Sequence, residues 1–208
     1  MIMSNYQTPT SETYNGLQLA FDHFNEQLFE NRLPPVLFTL TRKGKAHGYF
    51  WAEQFKHRDG DTTHEIALNP NSMDRNIEAV LATLVHEMTH LEQQEYGTPS
   101  KNGHHNMEWA GLMERVGLIA SNTGEPGGAQ TGRQMTHYID ESGPFVKAMQ
   151  ELMPFDLPYF TAPREASEKK KDLSKVKTTC PCCDTKAWCK KGTRIVCGDC
   201  NEMMVQEE

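Results

Sequence analysis

The sequence has no cysteine before residue 180 and no apolar run approaching the ~18 residues of a membrane span. The first absence excludes a fold stapled by disulfides that close long loops, and the second excludes a transmembrane helix. The opening MIMSNYQTPTSETYNG lacks a basic stretch followed by an apolar segment, and it lacks a lipidation motif. The expectation is therefore a cytoplasmic chain with no membrane partner. Hydrophobic residues are sparse at 37 %, though not so sparse that a core cannot form. Positive charge is sparse in one part only: the first 162 residues hold eleven Lys and Arg against twenty acids. Residues 164–194 reverse this with ten against four, and all 208 residues together carry a formal charge of −7. An acidic body with a basic tail reads either as an anionic partner for the tail or as a solvated linker.

The pattern along the chain predicts an α+β body. Thr8 and Pro9 form a helix start, after which Tyr14, Leu17, Phe21, Phe24 and Leu28 recur at helical spacing as far as Phe29. Three short β-branched or aromatic runs follow at 36–41, 48–55 and 65–68, bounded by Gly, Asp or Pro, and predict one small sheet. Residues 76–91 place Ile77, Leu81, Leu84, Val85, Met88 and Leu91 on a helix with no breaker until Gly97. Further helices are predicted at 106–116 and 144–153, with 117–138, rich in Gly, Thr and Gln, as a long ordered loop near the site between them. The body is expected to span 8–162, a charged linker 163–177 and a tail domain 178–208.

The predicted helix at 76–91 carries His86-Glu87-Met88-Thr89-His90, an H-E-x-x-H pattern. Residues four apart lie one turn along and ~40° round, so both imidazoles can reach one ion. Apolar residues flank the motif from Val80 to Val85, and burying two His and a Glu there without partners would cost several kcal/mol. Catalytic Zn²⁺ takes three protein ligands and keeps one position for water, which Glu87 is placed to deprotonate. His86 and His90 are thus expected as metal ligands and Glu87 as the catalytic residue. The extended form with Gly at 93 and His at 96 is excluded by Gln93 and Tyr96. Candidates for the third ligand are His104, His105, Glu108 and Glu114. His137 and Tyr138 read as packing or surface residues rather than catalytic ones, although metalloproteases often place such a donor opposite the metal.

At this point the chain resembles the SprT-like zinc metallopeptidases, a family that includes the bacterial SprT and eukaryotic Spartan-type proteases. The resemblance rests on the H-E-x-x-H helix, on 17–25 (LQLAFDHFN), Leu33-Pro34, Gly48-Tyr49-Phe50 and 65–69 (EIALN), and on His105-Asn106-Met107-Glu108-Trp109. The last run is similar to the family's H-G-x-E-[FW], whose His is the third ligand, and so implies His105. Asn106 stands where the family has Gly, which keeps His104 as the alternative. The resemblance also implies a minimal zincin-like fold, with a small sheet packed on the active-site helix and a substrate groove along the sheet edge. It further implies removal of proteins attached to DNA, the role of Spartan-type enzymes.

All six cysteines lie between Cys180 and Cys200. Cys180 and Cys183, then thirteen residues, then Cys197 and Cys200 give two C-x2-C knuckles with the spacing of a zinc ribbon. Cys182 and Cys189 are left over, and 187–196 is long enough for a hairpin between the knuckles. Metal binding would supply the folding free energy of so short a tail. Lys186, Lys190, Lys191 and Arg194 are candidate phosphate contacts and Trp188 a candidate stacking platform, so DNA is an expected partner beside docking on protein. The sequence thus predicts two Zn²⁺, one catalytic and one structural, in an endopeptidase acting on protein or peptide, including DNA-associated or DNA-crosslinked protein. The alternative is a non-catalytic nucleic-acid or transcription-associated zinc module, and a metal-dependent amidase is a third reading.

Overall fold

The computed structural model describes residues 8–42, 44, 46–152, 161 and 175–206. The chain divides into two compact units, 1–163 and 164–208. The predicted linker and Pro154, Pro158 and Pro163 lie outside the described residues, apart from 175–177.

In the body, helix α1 (Pro9–Phe29) begins as its sequence dictates, with Thr8 and Ser11 forming a reciprocal capping box and Pro9 in the first turn. Its apolar face buries Leu17, Phe21, Phe24 and Leu28. The chain leaves the helix through Glu30 and Asn31, both left-handed at φ +56° and +55°. Asn25 closes that turn: its amide donates to Leu33 O and accepts from Leu33 N, each at 3.1 Å. Strand β1 (Val36–Leu40) follows, then β2 (Gly48–Lys56) and β3 (Thr62–Leu68).

The three strands form one sheet in the order β1-β3-β2, with β1 parallel and β2 antiparallel to β3. Ile66 and Leu68 of β3 point into the core and are at most 1 % exposed. Strand β2 lies at the sheet edge and carries a bulge between Trp51 and Phe55, where Glu53 adopts φ +47°. The bulge is held by Glu53 N–H donating to His64 Nδ1 at 3.1 Å.

Helix α2 (Ile77–Tyr96) is capped by Asn76, whose side chain accepts Ala79 N–H at 2.8 Å. It extends about a turn beyond the predicted end and is buried continuously from Val80 to Thr89, because sheet and helices cover it on several sides. Two arginines anchor its far end: Glu92, almost wholly buried, pairs with both Arg32 and Arg115. Arg115 also donates to Leu28 O at 2.8 Å, so this ion triad joins α2 to the end of α1.

Helix α3 (Met107–Arg115) leads into β4 (Leu118–Ser121), which pairs antiparallel with β5 (Thr136–Ile139). The predicted loop at 117–138 is therefore corrected to a two-stranded arm with an ordered connection. Asn122 N–H donates to Ala129 O and Ser121 Oγ to Glu125 O, at 2.9 and 2.7 Å. Helix α4 (Pro144–Leu152) then returns to α1, stacking Phe145 on Phe24 with ring centroids 5.7 Å apart. The resulting core contains twenty-seven buried apolar residues among those described.

The tail unit is a three-stranded sheet of β6 (Val176–Thr179), β7 (Lys186–Cys189) and β8 (Val205–Gln206), in the order β7-β6-β8. Its hairpin joins β6 to β7 through the first knuckle, which corrects the hairpin expected within 187–196. The first strand also begins two residues before the predicted start at Thr178. Among the described residues its buried apolar cluster is Cys180, Cys197 and Met204. No described helix of the chain is long and apolar enough to cross a membrane.

Candidate metal centres

The helical repeat of α2 stacks His86 and His90 one turn apart, with ring centroids 5.2 Å from each other. His105 arrives from the segment before α3, and its Nε2 lies 3.1 Å from His90 Nε2. One ring nitrogen from each of the three histidines falls within 4.8 Å of the others. His104, one residue away, is exposed and outside the group. Glu108 is outside it too, because its Oε2 accepts Thr98 N–H and the Gln93 amide, both at 2.7 Å. Glu114 is exposed on α3.

Asn106 explains its own departure from Gly. It is the N-cap of α3, accepting Trp109 N–H at 3.0 Å and the Gln93 amide at 2.8 Å, while its own amide donates to Thr98 O. The cap orients α3 so that Trp109 forms the floor of the site. The indole stacks on His90 at 5.1 Å and meets His86 and His105 edge-on at 5.0 and 4.3 Å. Its Nε1–H is buried with no hydrogen-bond partner among the described residues.

Electrostatics keep these rings neutral. Burial, followed by repulsion from His105, pushes His90 down to about 3. Burial also holds His86 well below the ordinary histidine range, with His90, His137 and His105 adding to it. His105 is lowered by burial, although its Nδ1–H donates to Gly132 O at 3.0 Å. A carbonyl only accepts, so the proton sits on Nδ1 and the lone pair on Nε2 faces His90. Gly132 also exchanges both backbone hydrogen bonds with His105, at 2.8 and 3.1 Å.

Glu87 is 5 % exposed, and burial pushes its carboxyl up to about 8 against the opposing pull of a hydrogen bond from Phe50 N–H. Strand β2 can approach this closely because it begins with Gly48. A Cβ there would lie 2.9 Å from Ala67 O, 3.1 Å from Glu87 Oε1 and 3.1 Å from Thr83 Cγ2.

The donor set fits zinc. Tetrahedral Zn–N bonds of ~2.0–2.1 Å put ligating nitrogens about 3.3 Å apart, close to the His90–His105 separation. Three neutral imidazoles are the donor set of a catalytic ion, which keeps its fourth position for water. In the tail unit Cys180, Cys183, Cys197 and Cys200 bring their Sγ atoms within 4.8 Å of one another, with Cys183 and Cys197 3.6 Å apart. Four Zn–S bonds of ~2.3 Å imply about 3.8 Å, so this set suits a closed, structural ion. Hydrogen bonding with Thr185 lowers the Cys183 thiol toward its ligating form, while hydrogen bonding to Cys183 and Cys182 raises the neighbouring Cys200. Cys182 is exposed, and Cys189 instead pairs with Thr178 Oγ1 at 3.1 Å; neither joins the group.

From the sequence, His137 reads as a packing or surface residue in preference to a donor opposite the metal; on β5 it is half-buried, with its Nδ1 3.1 Å from His86 Nδ1. No local pattern marks it, because 51 residues separate the pair.

The body thus carries three histidines that could hold a metal ion, and the tail unit carries a cysteine cluster compatible with a zinc ribbon. A family model of the SprT-like family matches residues 17–129, and the chain belongs to that family. The match takes in α1 from Leu17 onward, the three-stranded sheet, all three histidines and β4. Over 59 residues the chain is 51 % identical to a Salmonella typhimurium protein named only "Uncharacterized protein in mucB 3'region". That stretch is 28 % of this chain and 80 % of the relative. No solved structure matches the chain.

Proposed function

We propose that the protein is a zinc-dependent endopeptidase of zincin-like architecture, in which His86, His90 and His105 hold the ion and Glu87 is the general base. When bound, zinc would lower the pKa of water toward ~7 and polarise the scissile carbonyl. The chain's own residues supply the rest. Phe50 N–H orients Glu87, which takes the proton from the attacking water and passes it to the leaving amine. Trp109 keeps the ligand rings in place and excludes solvent beneath them. Edge strand β2 starts beside Glu87 and suits an extended peptide bound by strand addition. The observation that carries the reading is Glu87 itself: a buried carboxyl, anchored by backbone beside three neutral imidazoles, is of no use to a purely structural ion.

For the substrate, DNA-associated or DNA-crosslinked protein is the reading the tail supports. The register pairs Lys177 with Trp188 and Thr179 with Lys186, placing two cations and a 63 % exposed indole on one face of β6 and β7. Such a face suits phosphates and a stacked base. The test is cleavage of casein and of a DNA-binding protein, with and without single-stranded DNA, by wild type and Glu87→Gln. Cleavage that requires both DNA and Glu87 is expected. Cleavage without DNA would remove the nucleic-acid role, and cleavage by Glu87→Gln would overturn the mechanism.

A further inference from the structure

The arm formed by β4 and β5 touches the histidine site twice. Gly132, in its connection, accepts His105 Nδ1–H at 3.0 Å. His137, in β5 opposite Ala120, places its Nδ1 3.1 Å from His86 Nδ1. Ala120 is 2 % exposed, and its short side chain takes little space beside the larger ring.

The Nε2 atoms of His90 and His105 are equally close, but both rings belong to the three-histidine group, whereas His137 lies outside it, so its Nδ1 and that of His86 share one proton: one donates and the other accepts. If His137 donated, His86 would carry its own proton on Nε2 and that nitrogen could not bind a metal. If His137 accepts, His86 is protonated on Nδ1 and its Nε2 lone pair is free. We propose that His137 is a positioning residue of the metal site, accepting His86 Nδ1–H and so fixing the tautomer in which His86 ligates through Nε2. Gly132 does the same for His105, so a single arm sets the ligating nitrogen of two of the three histidines. Partners of this kind are what orient metal-bound imidazoles, a task more often given to a carboxylate or carbonyl. The inference rests on the reading of the three histidines as zinc ligands.

The test uses the full-length chain carrying Glu87→Gln, loaded with zinc. Long-range ¹H–¹⁵N spectra of its histidines are expected to show His86 protonated on Nδ1, and His137 protonated on Nε2 with a bare Nδ1. Metal affinity gives a second readout, with cobalt(II) separating the sites because only the cysteine set gives thiolate charge-transfer absorption. His137→Asn puts an amide oxygen near the lost Nδ1 and should stay within about three-fold of the parent, whereas His137→Phe should lose about 10–100-fold at the histidine site alone. Equal affinity of the two variants, or a proton on His86 Nε2 in the loaded protein, would overturn the role of His137. A parent chain that takes up no metal at the histidines would instead overturn the zinc reading on which it rests. Should His137→Phe fail to fold, the tautomer spectrum of the parent decides.

Discussion

The two units solve the same problem, bringing metal-capable side chains together, from opposite directions. In the body, twenty-seven buried apolar residues build the fold, and the histidines are mounted on a helix that the core already holds. In the tail, the buried cluster is two of the cysteines and Met204, so the candidate ligands are most of the core. The difference shows where each unit's folding free energy must come from. At ~1.5–3 kcal/mol for each fully buried large apolar side chain, the body can fold before its metal arrives, and the tail cannot.

The largest expected effect follows directly. Chelation should collapse the amide spectrum of 175–206 while leaving that of 8–152 dispersed, and Trp109 should stay buried as Trp188 stays exposed. Loss of both sets of peaks would break the contrast. Next in size is Glu92→Leu, which strips Arg32 and Arg115 of their shared partner. A buried pair broken on one side costs about 3–5 kcal/mol, and because both arginines reach solvent the expected loss is nearer about 2 kcal/mol, read by urea unfolding of the body with the tail unaffected.

Comparable in stability but sharper in function is Gly48→Ala. The new methyl would press on Ala67 O, Glu87 and Thr83, at a cost of about 1–3 kcal/mol for overpacking. Peptidase activity should fall much further than stability, and equal losses would show that Glu87 is not held where β2 begins. The smallest effect concerns pH in the metal-free body. His90 is held down at about 3, so between its ordinary 6.5 and 3 the unfolded chain binds a proton that the folded one refuses. His90 therefore makes the metal-free body lose stability as pH falls through that window. Glu87, raised to about 8, has the opposite sign: its contribution is full below 4.5 and is lost as pH rises to 8. Melting of the chelated body in the Glu87→Gln background should lose the alkaline slope and keep the acid one.

The same contrast marks what was readable in advance. Helices α1 and α2 announce themselves through a cap and an unbroken apolar period, and the cysteine set through its knuckle spacing, because each signal is local. The His105 assignment needed a family likeness, since what separates it from His104 is long-range: its bonds to Gly132 and its approach to His90. Strands β4 and β5 escaped notice because each is four residues long and they are separated by a Gly-rich connection. The tail hairpin was misplaced for a similar reason: β6 pairs across the first knuckle rather than within the stretch between knuckles. The contacts of Gly132 with His105 and of His137 with His86 span 27 and 51 residues, so they appear only once the chain is folded.

The central claim is that three histidines of the body and four cysteines of the tail each hold one zinc, the first served by Glu87. Native mass spectrometry of the zinc-loaded chain tests it most directly, with Glu87→Gln, His90→Ala and Cys197→Ser alongside. The account predicts two ions per chain in wild type and Glu87→Gln, and one in each of the other two variants. One ion in wild type, or two in His90→Ala, would contradict it.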